Sequence, residues 1–427
     1  MMNRREFFKL AGLAGLTVIP SLSIANQGGF AGAPQQPRAY EGPFWIFVNA
    51  GGGWDPTLLC DPKGRANEQA VDPVNMYFED EILSAGNISY APVGYNDTFF
   101  QKYYQQLLVI NGIDMQTNGH DSGSRNTWSG KLTEGFPSLA ALVAATAGPE
   151  LPMSYLSFGG YDMTAGLVAR TRAGNVNALG RIAYPERVDP NDADNRFHSV
   201  KAEELIVQAR TGRHDVQLAK AMLPAENKAM SAMFTAATGS NELKLLQQYL
   251  PAELANDNEI RRQAQVALAA YRAGICISVN LNTGGFDTHG DHDNSHVPRL
   301  QSLLEGVDAV FEEAELQQVA DNIIVVVGSD FGRTPHYNDT NGKDHWSVTS
   351  MLMMGKGISG NRVVGATTAD FQPRAINPGS LAVDDGGVRI EPQHIHYELR
   401  KLAGLTDSEF ATLFPLVPPD PLSGLLG

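Results

Sequence analysis

The chain has only two cysteines in 427 residues, Cys60 and Cys276, and so no Cys-x-x-Cys pair for a redox couple or a zinc knuckle. Cys276 lies within an apolar run, where a thiol behaves as a small buried hydrophobe. No Gly-x-Ser-x-Gly elbow occurs, which excludes the strand–turn–helix nucleophile of that hydrolase class. Gly355-Lys356-Gly357-Ile358-Ser359-Gly360 lacks the spacing of a P-loop. Positive charge is short as well, with 32 Lys and Arg against 47 Asp and Glu and a formal net charge of −15. Such a surface repels phosphate backbones, and no local basic patch offsets it, so no nucleic-acid partner is expected. No apolar stretch reaches the roughly 20 residues of a membrane span, which excludes a stable one. Repeats of solenoid length are absent too.

What is present begins with an export signal. Asn3-Arg4-Arg5-Glu6-Phe7-Phe8-Lys9 matches the twin-arginine pattern, an apolar run from Leu10 to Ile19 follows, and Ser23-Ile24-Ala25 is a small-x-small cleavage site. Residues 1–25 therefore read as a removable signal that engages the twin-arginine translocase, and the mature chain as periplasmic or otherwise exported. That route carries folded proteins, often ones already holding a cofactor. Residues 26–42, rich in Gly, Pro and Gln, read as a flexible lead-in. The remainder, 43–427, suffices for one large core with an insertion. From about 189 to 273, Ala, Gln, Leu and Glu recur at helical spacing and predict a helical insertion. His198 and His214 within it read as solvated, and Met222, Met230 and Met233 as packing.

Six apolar runs read as strands: Phe44–Asn49, Leu107–Asn111, Pro152–Phe158, Ile275–Leu281, Ile323–Val327 and Thr349–Gly355. Their continuous hydrophobicity points to burial on both faces, as in parallel sheets. Helices are expected over Phe136–Gly148 and Val297–Ala314, and an irregular excursion over Asp61–Asp97. The fold class is therefore α/β, with a mostly parallel central sheet, helices on both faces and a helical insertion.

In such sheets ligands bind just beyond the carboxyl ends of the strands. Asp and His residues gather there: Asp55, Asp287, His289, His292, Asp330, Asp344 and His345. Carboxylate and imidazole together suit Zn, Mn and other divalent ions, whereas carboxylate alone suits Ca and Mg. The inventory can hold one or two ions, and two would clamp the attacking and leaving oxygens of a phosphoryl or sulfuryl displacement. Gly52-Gly53-Trp54-Asp55 and Gly284-Gly285-Phe286-Asp287 repeat one pattern, so both aspartates are expected to face one site. Arg333 and Arg125 are candidates for holding an anion in fork geometry, and Lys343 as a point charge. A helix starting near Ser122 or Ser124 would offer its free N–H groups to an oxyanion. Those hydroxyls are either plain helix caps or a nucleophile activated by a metal.

The twin-arginine start, Asp287-Thr288-His289-Gly290, Ser329-Asp330-Phe331-Gly332-Arg333 and Asp344-His345 together resemble the DUF1501 family of exported bacterial proteins. That family is similar in turn to the alkaline phosphatase and sulfatase superfamily. The resemblance spans nearly all of the mature chain and implies an alkaline-phosphatase-like fold. It implies an aspartate after the first strand, matched by Asp55, and a hydroxyl nucleophile at a helix start, matched by Ser122, Ser124 or Thr127. It also implies an Asp-x-x-x-His motif, an Asp-His motif and a later His, matched by His345. Two departures stand out. Asp287-x-His289 replaces the four-residue spacing, with His292 five residues on, and Phe331 stands where the Asp-His motif would place its histidine. The expected function is an exported metal-dependent hydrolase of small phosphate or sulfate esters. The alternative is a non-catalytic periplasmic or cell-surface binding protein on the same scaffold.

Overall fold

The computed structural model describes residues 40–172, 183–184, 186–189, 192–220, 223 and 243–427. The export signal at 1–25, residues 26–39 of the lead-in, and Met222, Met230 and Met233 lie outside the described residues. In chain order the described strands are β1 (Phe44–Ala50), β2 (Leu83–Ala85), β3 (Ile88–Tyr90), β4 (Leu107–Asp114), β5 (Tyr155–Ser157) and β6 (Arg170–Arg172). There follow β7 (Ser278–Thr283), β8 (Ile323–Ser329), β9 (Gly332–Arg333), β10 (His345–Trp346), β11 (Val348–Gly355) and β12 (Arg362–Val364). The helices needed below are α1 (Asn96–Tyr103), α2 (His120–Ser129), α3 (Leu139–Ala147), α4 (Val200–Lys220), α5 (Glu259–Arg272), α6 (His292–Leu316) and α7 (Pro392–Leu402).

β1 is buried at every position. Its side chains alternate, Phe44, Ile46 and Val48 joining one apolar cluster and Trp45 and Phe47 the other, as the period of two requires. The first cluster packs under α1, α5 and α6, the second under α2, α3 and α7. The sheet therefore has helices on both faces, and each buried large apolar side chain contributes roughly 1.5–3 kcal/mol.

The sheet order is β12-β4-β11-β8-β1-β7-β5-β6. β8, β1, β7, β5 and β6 run parallel, and β12 runs parallel to β4. Among the described residues only β11 is reversed, pairing antiparallel with both β4 and β8. The mostly parallel α/β sheet expected from the apolar runs is the one observed.

Local details differ from expectation. The 61–97 excursion contains the β2–β3 hairpin and the first turn of α1. α2 starts at His120, ahead of Ser122, because Gly119 is extended and ends the loop there. α6 starts at His292, five residues before Val297, after Asp291 turns the chain at φ 45°. Within the stretch expected as an insertion, α5 buries Ile260, Ala264 and Val266–Tyr271 against the sheet, so it is a core layer. The Gly355–Gly360 turn also has Gly-x-Gly-x-x-Gly spacing, but it leads into β12, so no helix N-terminus is there to hold a pyrophosphate.

α7 is held on α2 by buried His396, whose Nε2 donates to the Thr127 carbonyl at 2.7 Å. Burial, and then the Arg400 guanidinium, push the His396 imidazole down to about 4. The unfolded chain thus binds the extra proton between roughly pH 6.5 and pH 4, so the stabilisation is complete above that window and lost as pH falls through it. Unfolding in denaturant is expected to show a loss on the order of 3 kcal/mol across that window. His396→Gln should flatten part of that slope.

Candidate metal centre

Strand direction assembles the site. β1, β7, β8 and β4 end at one edge of the sheet, and β11, being reversed, begins there. The loops after the four parallel strands carry Asp55, His120, Asp287, His289 and Asp330, and the segment leading into β11 carries Lys343, Asp344 and His345. The Gly52–Gly53 turn is gripped from two sides. Its N–H groups donate to Asp330 Oδ1 at 2.9 and 2.7 Å, and its carbonyls accept from Arg333. A Cβ on Gly53 would meet Phe331 at 2.4 Å, in a backbone with φ +86°, so only glycine fits.

At the open end of this edge three imidazoles surround Asp287. His289 Nε2 and His345 Nε2 lie 2.9 and 3.0 Å from Asp287 Oδ1, and 3.0 Å from each other. His120 Nε2 lies 3.5 Å from Asp287 Oδ2. Each ring is bonded outward at Nδ1: His120 to Asp330 Oδ2 at 2.6 Å, His289 to Asp344 Oδ1 at 2.7 Å, and His345 to the Asn118 carbonyl at 2.9 Å. Those acceptors place the proton on each Nδ1 when the rings are neutral, an assignment drawn from the hydrogen-bond pattern. The three Nε2 lone pairs then converge on a carboxylate. Burial alone would raise the Asp287 carboxyl, but Arg333 and the neighbouring imidazoles more than offset it and hold it well below the usual range.

Lone pairs this close repel unless a proton or a cation lies between them. Tetrahedral donors at ~2.0–2.1 Å from a zinc-sized ion stand about 3.4 Å apart, a spacing derived from the bond length. Four of the separations here, 2.9 to 3.5 Å, bracket it, and the donor atoms of His120, Asp287 and His345 all lie within 4.8 Å of one another. Nitrogen-rich donors, two with a carboxylate and one with a backbone carbonyl on the far side of the ring, fit a borderline ion such as Zn or Mn better than Ca or Mg. His120, Asp287 and His345, with His289 beside them, can therefore hold one such ion. The Asp287, His289 and Asp344 side chains are about half exposed, at 46, 47 and 56 %.

Asp55 and His292, expected beside these ligands, lie in a separate and fully buried network. Lys343 Nζ donates to Asp55 Oδ2 at 2.7 Å and to Asn75 Oδ1 at 2.9 Å, with all three residues at 0 % exposure. Thr57 donates to Asp55 Oδ1 from both its N–H and its hydroxyl. The Asp55 N–H donates to His296 Nε2 at 2.8 Å, so that nitrogen carries no proton. Burial and the adjacent His292 likewise keep His296 neutral, well below the ordinary histidine range. His296 Nδ1–H then donates to Thr288 Oγ1, which lies 2.7 Å from His292 Nδ1, and His292 Nε2–H donates to Asp55 Oδ2. Every polar atom of that chain is used. Burial pushes the Asp55 carboxyl up, but Lys343 and His292 outweigh it and leave it ionised. The internal ammonium already neutralises Asp55, so this set does not need a metal.

The repeated Gly-Gly-aromatic-Asp pattern thus delivers its two aspartates to two neighbouring clusters, not one. Asp330 and Asp344 support histidines and are spent in doing so. Arg333 is fully buried, and it donates to the Gly52, Gly53 and Lys343 carbonyls and to Asp287, which leaves no fork for an anion. Arg125 faces Glu134 at 3.5 Å. Thr127 is buried, and its hydroxyl donates to the Ser329 carbonyl. Ser122 is half-buried in the first turn of α2, its hydroxyl bonded to Thr117 Oγ1 and the Gly119 carbonyl. Ser124, half-buried, is one turn further along the helix from Asp121. Phe331 lies beneath the His345 and His120 rings, 4.4 and 4.8 Å between centroids. Cys60 and Cys276 are both buried and free. His120 was not among the ligands expected from the sequence; the available signal was its position after Gly119, at the first residue of the helix.

The family described as "Protein of unknown function (DUF1501)" matches residues 45–385. The chain belongs to the DUF1501 family. No curated protein matches its sequence. Solved structures similar to this DUF1501 chain include an alkaline phosphatase from the Antarctic bacterium TAB5, at 8 % identity and TM-score 0.36, covering 86 % of this chain and 99 % of that one. A lipoteichoic acid synthase from Listeria monocytogenes is 7 % identical at TM-score 0.33, covering 90 and 80 %. A Pseudoalteromonas sulfatase is 10 % identical at TM-score 0.33, covering 86 and 68 %.

The two clusters of this DUF1501 chain respond differently to mutation. Asp55→Asn strands the Lys343 charge in the core and should cost about 3–5 kcal/mol in denaturant unfolding. Asp287→Asn, at the half-exposed cluster, removes the carboxylate facing buried Arg333 but leaves that guanidinium its three backbone carbonyls, and should cost less, about 1–3 kcal/mol. Elemental analysis is expected to give one bound transition-metal ion per wild-type chain and none for Asp287→Asn; two ions per chain would contradict the division drawn here.

Proposed function

We propose that the chain is an exported metal-dependent hydrolase of phosphate or sulfate esters, with a single ion at the half-exposed cluster. One observation carries the reading: three imidazoles held outward at Nδ1 turn their Nε2 atoms onto one ionised carboxylate. The ion, when bound, supplies Lewis acidity and an acidified water. The protein's own residues do the rest. His120, His289 and His345 present their Nε2 atoms, and Asp330, Asp344 and the Asn118 carbonyl keep them oriented. Arg333 keeps Asp287 ionised and in place. The first turn of α2 adds N–H groups that favour an anion, and Ser122 is the half-buried hydroxyl of that turn. Export rests on the Arg4-Arg5 segment, so an Arg4→Lys, Arg5→Lys double variant should remain in the cytoplasm.

Aryl phosphates and aryl sulfates are the probes. The expected result is turnover that a chelator abolishes, that Zn or Mn restores, and that drops at least 100-fold in His345→Ala and Asp287→Ala. Metal-loaded wild type with no turnover on either ester class would sink the proposal. A binding protein is the second reading, favoured by Arg333 and Arg125 both being engaged elsewhere. It predicts bound metal with no hydrolysis, unchanged by Ser122→Ala and Ser124→Ala.

A further inference from the structure

The half-exposed cluster and the buried network are interleaved along two short segments. In the first, Asp287 and His289 face the cluster while Thr288 between them turns inward, its hydroxyl bridging His296 and His292. In the second, Asp344 and His345 face the cluster while Lys343, directly before them, sends its ammonium to Asp55, Thr57 and Asn75. The Lys343 N–H donates to the Thr288 carbonyl at 3.2 Å, joining the segments at their two inward residues. The Lys343 carbonyl accepts from Arg333, which in turn holds Asp287. Gly342 is forced by the same closeness, since a Cβ there would lie 1.8 Å from the His289 carbonyl oxygen. Asp287, His289 and His345 thus hang on Thr288 and Lys343, and both of these are anchored through Asp55.

We propose that Lys343 and Thr288 are positioning residues of the metal centre: the buried Lys343–Asp55 pair and the Thr288 hydroxyl relay set the spacing of the three Nε2 atoms around Asp287. The proposal rests on the reading of that cluster as a cation site. It also explains why a lysine is buried beside two histidines without any access for substrate. An ammonium fixes charge and distance together, whereas an exchangeable ion would let the loops relax whenever it left.

Cobalt(II) serves as the probe, because its visible absorption reports ligand geometry and needs no turnover. Thr288→Val keeps the side-chain shape and removes the relay. Lys343→Met alone leaves Asp55 unpaired and endangers folding, so Asp55→Asn with Lys343→Met, which removes both charges, is the second variant. Asp308→Asn, which loosens the Lys102, Tyr95 and Tyr103 contacts between α1 and α6, controls for general destabilisation. Thr288→Val and the double variant are expected to stay folded, bind cobalt 10- to 100-fold more weakly, and shift or broaden its bands. Asp308→Asn should lower Tm without moving the spectrum. Wild-type cobalt affinity and an unchanged spectrum in both folded variants would overturn the positioning role and leave the metal site standing. A wild-type protein that binds no cobalt would overturn the cation reading and this proposal with it.

Discussion

A carboxylate with no access to water must be neutralised where it stands, and Asp55 is such a carboxylate. Lys343 reaches it across 288 residues of sequence, and the ion pair is closed by Thr57, Asn75 and His292. Taking two charges out of water is costly, and the structure answers with a network in which each remaining lone pair and proton has a partner. That requirement fixes the loop after β1, the loop after β7 and the segment before β11 relative to one another. The tips of those loops then have little freedom left.

Two clusters of similar composition therefore have different chemistry because of where water reaches. Inside, aspartate, lysine and two histidines balance internally, and each imidazole nitrogen has a hydrogen-bond partner. Outside, three histidines have their protons drawn to the far side of each ring, and the near side is left electron-rich around Asp287. Only the second arrangement turns its free lone pairs toward a half-exposed surface. Residue type alone does not distinguish them; hydrogen-bond direction does.

The sheet was legible in the sequence because buried parallel strands announce themselves as apolar runs, and because Asp and His followed those runs too regularly to be ordinary turns. The division of labour was not. Asp330 and Asp344 look like ligands in a sequence, and their role as supports depends on partners over 50 and over 200 residues away. Lys343 and Arg333 sit in polar loops and read as surface groups for an anion, yet both are fully buried, a fact set by tertiary packing. Thr288 carries no signal at all: its importance comes from the alternation that turns it inward between two outward residues. His120 was passed over while the helix was expected near Ser122 or Ser124, two to four residues beyond its observed start, and Gly119, which marks that start, is a weak cap signal beside the serines that follow.

The half-exposed rim of the cluster has a further consequence. An ion coordinated at the protein's edge equilibrates with the medium instead of being trapped at folding. The ion's identity would then follow the availability of competing divalent metals as much as intrinsic affinity, whose ordering across the first transition row favours copper over zinc and manganese. For an open site of this kind, loading is a property of the surroundings in which the protein finally resides.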